Sequence, residues 1–119
     1  SHYEIFTHNG KKKTGKKLYE FLDEIKDIPY GELVINNIDL DGVMTGYDME
    51  MCDKVRELTD LPLTFLGGAG SYKDLKKLVS RFKIIGAAAG SIFVFKGKYK
   101  AVLIQYPMPN EKIEIQPLV

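Results

Sequence analysis

Short apolar, β-rich runs alternate with amphipathic helical stripes along almost the whole chain. That alternation constrains the fold more than any other feature. The runs are residues 3–7 (YEIFT), 33–38 (LVINNI), 63–66 (LTFL) and 83–89 (KIIGAAA). The last three lack a regular polar alternation, which suits strands buried on both faces, as in parallel sheets. Between them, Leu18, Phe21, Leu22 and Ile25 fall on one helical face. Met49, Cys52, Val55 and Leu58 recur every three residues, and Tyr72, Leu75, Leu78 and Val79 make a third stripe. Asp48 is placed to cap the second helix. Ser71 with Asp74 three residues on reads as a capping box, so the third helix starts near Ser71. Pro62 opens the third strand, and Pro107 and Pro109 confine any last helix to about residues 98–106. The order predicted is strand and helix, four times over, the last helix short. This is an α/β chain with parallel pairing, and right-handed crossovers put all strand C-terminal ends on one rim.

A chain of 119 residues suits one domain. With 45% hydrophobic and 28% charged residues, disorder, collagen and coiled coil are poor readings. The formal charge of +1 gives no global reason to expect nucleic acid or an anionic membrane as partner. The single cysteine, Cys52, can form neither an intrachain disulfide nor a cysteine-based zinc site, so a reducing, cytoplasmic setting is expected. Its place on the apolar stripe makes it a core residue rather than a nucleophile. No apolar run approaches the roughly 18–20 residues of a membrane span, and the N-terminus lacks a signal-peptide core. The chain opens on Ser1, which fits either a trimmed initiator Met or a piece of something longer.

The segments after the strands carry the candidate chemistry. They read HNGKKKTG (8–15), DLDGVMTGYD (39–48), GGAGS (67–71) and AAAGS (87–91). Every exit contains glycine, and ligands of α/β folds bind at the strand C-terminal rim. Glycines there make tight turns or let a backbone approach a phosphate, and amides at the next helix start supply donors. Asp39 and Asp41 are two apart, which places them on one face if the strand continues that far. Two readings of the pair stay open: proton transfer by a carboxylate, or turn capping and backbone hydrogen bonding. Two carboxylates alone are too few hard ligands for a metal site. Lys11, Lys12, Lys13, Lys16 and Lys17 form one basic cluster without interleaved aromatics, which argues against a nucleic-acid platform. It is a solvated face or an attraction for an anionic substrate. His8, in the same loop, reads as a polar loop residue rather than a ligand.

The stretches THNGKKKTG, GELVINNIDLDGVMTGYD, LPLTFLGGAGS and AAAGSIFVFKGKY resemble the cyclase subunit of imidazole glycerol phosphate synthase, a TIM (βα)8 barrel. The resemblance covers about residues 3–106, and IDLDG, then TGYD, then GGAG is its specific combination. It implies the C-terminal portion, about half, of such a barrel, with parallel strands and outer helices. Residues 1–119 would supply an arm of the loop after the fifth strand and then units six to eight. An upstream chain, or a second copy, would complete the barrel. The implied reaction joins ammonia, released by a glutaminase subunit, to a phosphoribulosyl formimino intermediate. It yields imidazole glycerol phosphate and an aminoimidazole carboxamide ribotide, and no metal or organic cofactor is implied. Asp41 falls on one of the two catalytic aspartate positions, as general acid or base. The other catalytic aspartate, on the family's first strand, has no counterpart in this chain. Gly42, Gly67, Gly68, Gly90 and Ser91 fall on phosphate-contact positions, and Thr7, Asn9 and Asn36 on positions lining the substrate cleft. Leu40, Leu66 and the ending FKGKYKAVLIQYP depart from the histidine enzyme. They look more like the paralogues of surface-polysaccharide clusters, which amidate a sugar. A non-catalytic phosphate-binding fragment is the third reading.

Overall fold

The computed structural model describes residues 3–29, 31–82, 85–96, 99–104 and 106–115. Three parallel strands organise it: β3 (Leu33–Asn36), β4 (Leu63–Leu66) and β5 (Gly86–Ala87). They are paired in sequence order, with Ile35 opposite Phe65 and Phe65 opposite Ala87. Main-chain bonds continue past the strand ends, from Asn37 N to Leu66 O and from Ala88 N to Phe65 O, both 2.9 Å. The connecting helices are α2 (Met49–Leu58) and α3 (Tyr72–Phe82), preceded in the chain by α1 (Leu18–Ile25).

All three helices bury their stripes in one cluster. Leu22 and Ile25 of α1, Met51, Cys52 and Val55 of α2, and Leu75 and Leu78 of α3 meet Leu63 and Phe65 of β4. Helices on a single face of sequentially ordered parallel strands are the arrangement of a barrel wall, not of a doubly wound sheet. Leu58, the last residue of the second predicted stripe, is exposed instead. Cys52 is fully buried, and loss of hydration pushes its thiol up to about 12. It is a core residue, as its position on the stripe implies.

The strands depart from the expected two-sided burial. In β4, Leu63 and Phe65 are buried while Thr64 and Leu66 are half-buried. In β3, Leu33 and Ile35 are half-buried while Val34 and Asn36 are exposed. Side chains alternate across a strand, and among the described residues helices cover one side. Val34, 58% exposed, belongs to the other side, which in a closed barrel is the interior.

The N-terminal run is not a member of the parallel series. β1 (Glu4–Thr7) pairs antiparallel with β2 (Lys12–Lys17), Phe6 opposite Lys13, in a separate hairpin. The lysine-rich stretch read as a loop is therefore largely strand. Its tip, His8–Asn9–Gly10, takes positive φ at all three residues, and Lys11 N closes it onto Thr7 O at 3.1 Å. All of β2 is exposed, so no apolar alternation marks it in the sequence. The ending also differs from expectation. A single turn, α4 (Ser91–Val94), leads into an antiparallel hairpin of β6 (Phe95–Lys96) and β7 (Ala101–Val102). The helix expected over 98–106 is thus replaced by strand at 101–102, with Lys98 and Gln105 outside the described residues. Pro109 opens α5 (Pro109–Ile115), where its missing N–H costs no helical bond. The fourth predicted strand, 83–89, is a strand at Gly86–Ala87, and its Lys83 and Ile84 lie outside the described residues.

Both predicted helix starts are present. Asp48 Oδ1 accepts from Met51 N at 3.0 Å, while Asp48 Oδ2 accepts from the Tyr3 hydroxyl at 2.5 Å. That hydroxyl bond, with burial, raises the Tyr3 pKa. Asp48→Ala removes a cap worth about 1 kcal/mol and leaves Tyr3 without its acceptor. Loss of about 1–2 kcal/mol in urea unfolding is the expected outcome. At α3, Asp74 Oδ2 accepts from Ser71 N at 3.0 Å and from the Ser71 hydroxyl at 3.2 Å. Among the described residues, no helix is long and apolar enough to cross a membrane.

Candidate functional site

The candidate residues gather mainly where β3, β4 and β5 end. After Asn36 the chain leaves the strand at once. Leu40 N and Asp41 N both return to Asn37 O, at 3.1 and 3.0 Å, in a helical turn. Asp39 and Asp41 therefore do not share a strand face. Asn36 Nδ2 instead donates to Asp41 Oδ2 at 3.4 Å, a long bond between exposed side chains. Gly42 follows in the left-handed region at φ 77°. Among the described residues, a Cβ there would meet only the Ser91 hydroxyl oxygen, 3.9 Å away, and at Gly90 an added Cβ would meet nothing within 4 Å. Gly42 and Gly90 are thus unfilled by the described residues.

Gly67 and Gly68 do not. A Cβ on Gly67 would overlap the Asn37 carbonyl oxygen and come within 2.9 Å of Asn36 Oδ1. A Cβ on Gly68, at φ 115°, would overlap the Gly46 carbonyl oxygen, and Gly46 N donates to Gly68 O at 2.7 Å. These glycines allow the GGAG and TGYD segments to touch backbone to backbone. Two amides just before α3 are engaged as well, since Gly70 N and Ser71 N both donate to Asp74 Oδ2.

Two residues outside the expected site hold the rim together. Tyr47, buried behind the TGYD turn, donates its hydroxyl to Ala88 O at 2.7 Å. Burial, and then the Asp74 carboxylate, raises its pKa, so it stays a donor. The bond ties the turn after β3 to the AAAGS segment after β5. Lys100, between β6 and β7, donates from Nζ to the Gly42 carbonyl at 3.1 Å. Tyr47 was visible as part of TGYD. Lys100 was hidden because its segment read as helix.

Thr7 and Asn9 sit elsewhere, on the β1–β2 hairpin. Thr7 Oγ1 lies 3.0 Å from His8 Nδ1, and Asn9 occupies the tip at φ 56°. The hairpin approaches the rim through Gly10, whose added Cβ would lie 3.1 Å from Ile38 Cδ1. Between hairpin and β3 lies a cavity of about 520 Å³. Phe6, Lys13, Asn36 and Asp39 are among its lining residues, while Thr7, Asn9 and Asp41 are not.

A family model described as histidine biosynthesis protein matches residues 1–100. The chain belongs to that histidine biosynthesis family. A protein of Vibrio vulnificus strain YJ016, provisionally named imidazole glycerol phosphate synthase subunit hisF3, is 54% identical over 112 residues. The match takes in 94% of this chain and 43% of that protein. A Leptospira borgpetersenii protein, provisionally named as subunit HisF of the same synthase, is 47% identical over 97% of this chain and 45% of its own length. The HisF subunit of Leuconostoc mesenteroides is 31% identical over 96% of this chain and 44% of its own length. The chain thus spans less than half the length of these histidine-biosynthesis relatives. The one-sided parallel wall of β3, β4 and β5 is the architecture that the family resemblance implies.

Proposed function

We propose that the chain forms the C-terminal wall of a (βα)8 barrel that uses ammonia in a reaction of the imidazole glycerol phosphate synthase type. The observation that carries this is the convergence of three motif segments, DLDGVMTGYD, GGAGS and AAAGS, on one rim. Asn36 holds Asp41, Gly42 faces Ser91, and Gly67 and Gly68 bind the loops together. Asp41 is the proton-transfer group, reachable from solvent and oriented by Asn36. Gly42, Gly90 and Ser91 surround the phosphate end of a small substrate. Gly67 and Gly68, also phosphate contacts in the family resemblance, reach a ligand only through their main chain. Asn36 lines the cavity on the hairpin side, and Thr7 and Asn9 lie on the hairpin that borders it. The exposed strand edge of β3 and its uncovered face are completed by further strands of the barrel. A glutaminase subunit supplies the ammonia, as the family resemblance implies.

A second reading rests on the departures from the histidine enzyme at Leu40, Leu66 and the ending FKGKYKAVLIQYP. In this reading the same rim amidates a surface-polysaccharide sugar. The test gives the complete protein ammonium salt and the phosphoribulosyl formimino intermediate, and follows product formation by chromatography. Turnover is the expected result. Phosphate binding without turnover would transfer the rim to the sugar-amidating reading, and absence of both would overturn the rim assignment.

A further inference from the structure

We propose that Lys100 is an anion-binding residue of the rim, pairing with the phosphate-type group of the substrate. This rests on the rim reading above and adds to it a side-chain cation. Lys100 follows Tyr99 at the turn of the β6–β7 hairpin, at φ 50°, and its ammonium reaches the Gly42 carbonyl 58 positions away in sequence. An ammonium carries three donors, and the Gly42 carbonyl takes one.

The surroundings favour an oxyanion. Of the glycines at the strand exits, Gly67 and Gly68 are filled against by neighbouring carbonyls, whereas Gly42 and Gly90 are unfilled by the described residues. The Ser91 hydroxyl lies 3.9 Å from where a Gly42 Cβ would stand and the Lys100 ammonium 3.1 Å from the Gly42 carbonyl oxygen, so one hydroxyl and one ammonium both approach Gly42. Asp41 precedes Gly42 and brings a carboxylate to that loop. A doubly charged phosphate entering beside it is repelled unless a cation offsets the charge. Lys100 is the cation that the structure places on Gly42. The contact also docks the terminal hairpin onto the rim, so the segment after the AAAGS turn takes part in binding.

The probe is inorganic phosphate, titrated calorimetrically into the complete protein at low ionic strength. Lys100→Gln is expected to weaken binding about tenfold, the scale of one hydrogen bond to a charged group. Lys100→Arg keeps the charge and is expected to stay within about threefold of the parent. Lys26→Gln, which alters a lysine paired with Asp23 at the C-terminal end of α1, is expected to change nothing. Equal affinity in the parent and Lys100→Gln overturns the Lys100 proposal and leaves the phosphate rim standing. Equal weakening by Lys100→Gln and Lys100→Arg also overturns it, because charge is then not the cause. No phosphate binding by the parent overturns the rim reading itself.

Discussion

Gly68→Ala is expected to lower the unfolding free energy of the complete protein by about 3 kcal/mol or more. Two costs combine. At φ 115° an L side chain is strained by roughly 1–2 kcal/mol. The new methyl must also overlap the Gly46 carbonyl oxygen, which is backbone and cannot swing aside as a side chain would. Relief requires the loops to separate, which breaks the 2.7 Å bond from Gly46 N to Gly68 O. Tyr47, the next residue, then loses its aim at Ala88 O, so the damage spreads to the AAAGS segment. Gly90→Ala is the control. Its φ is −122° and its added Cβ meets nothing, so a change within about 0.5 kcal/mol is expected. Urea unfolding of both variants checks this. If Gly68→Ala unfolds with the parent, the two segments do not touch as described.

That contrast marks the limit of what the sequence could say about the rim. GGAGS and AAAGS look alike as strings, and both read as openings for a phosphate. Only the first has its glycines packed against another loop's backbone, because the partner carbonyls come from Asn37 and Gly46, far away in the chain. The parallel core was legible for a local reason. Leu63 and Phe65 lie two apart on β4, and Asp48 and Ser71 sit where caps must sit. The two hairpins were not. Lys12–Lys17 is a strand with no buried residue, held by β1 pairing rather than by an apolar face. The terminal segment offers apolar residues at both spacings, and the β6–β7 pairing decided for strand over helix. The lesson for the site follows directly. Asp41 and Gly42 were found from their motif, whereas Lys100 depends on a hairpin that spacing did not indicate.

Asp41→Asn is expected to reduce ammonia-dependent turnover by about 10²–10⁴-fold in the complete protein, the usual contribution of a positioned acid or base. The substitution is nearly isosteric. It leaves an oxygen for the bond from Asn36 Nδ2 and the amides of Leu40 and Asp41 on the Asn37 carbonyl, so the turn is preserved. Only the titratable proton is lost. Phosphate affinity should therefore hold or improve slightly, since one negative charge next to Gly42 disappears. Asn36→Ala separates orientation from chemistry. It leaves the carboxylate but removes its 3.4 Å partner, and a loss of about tenfold or less is expected because so long a bond orients weakly. Turnover by Asp41→Asn within threefold of the parent would remove Asp41 from proton transfer. Loss of turnover together with phosphate binding would make Asp41 a residue that shapes the rim, and the proton would have to move through another group.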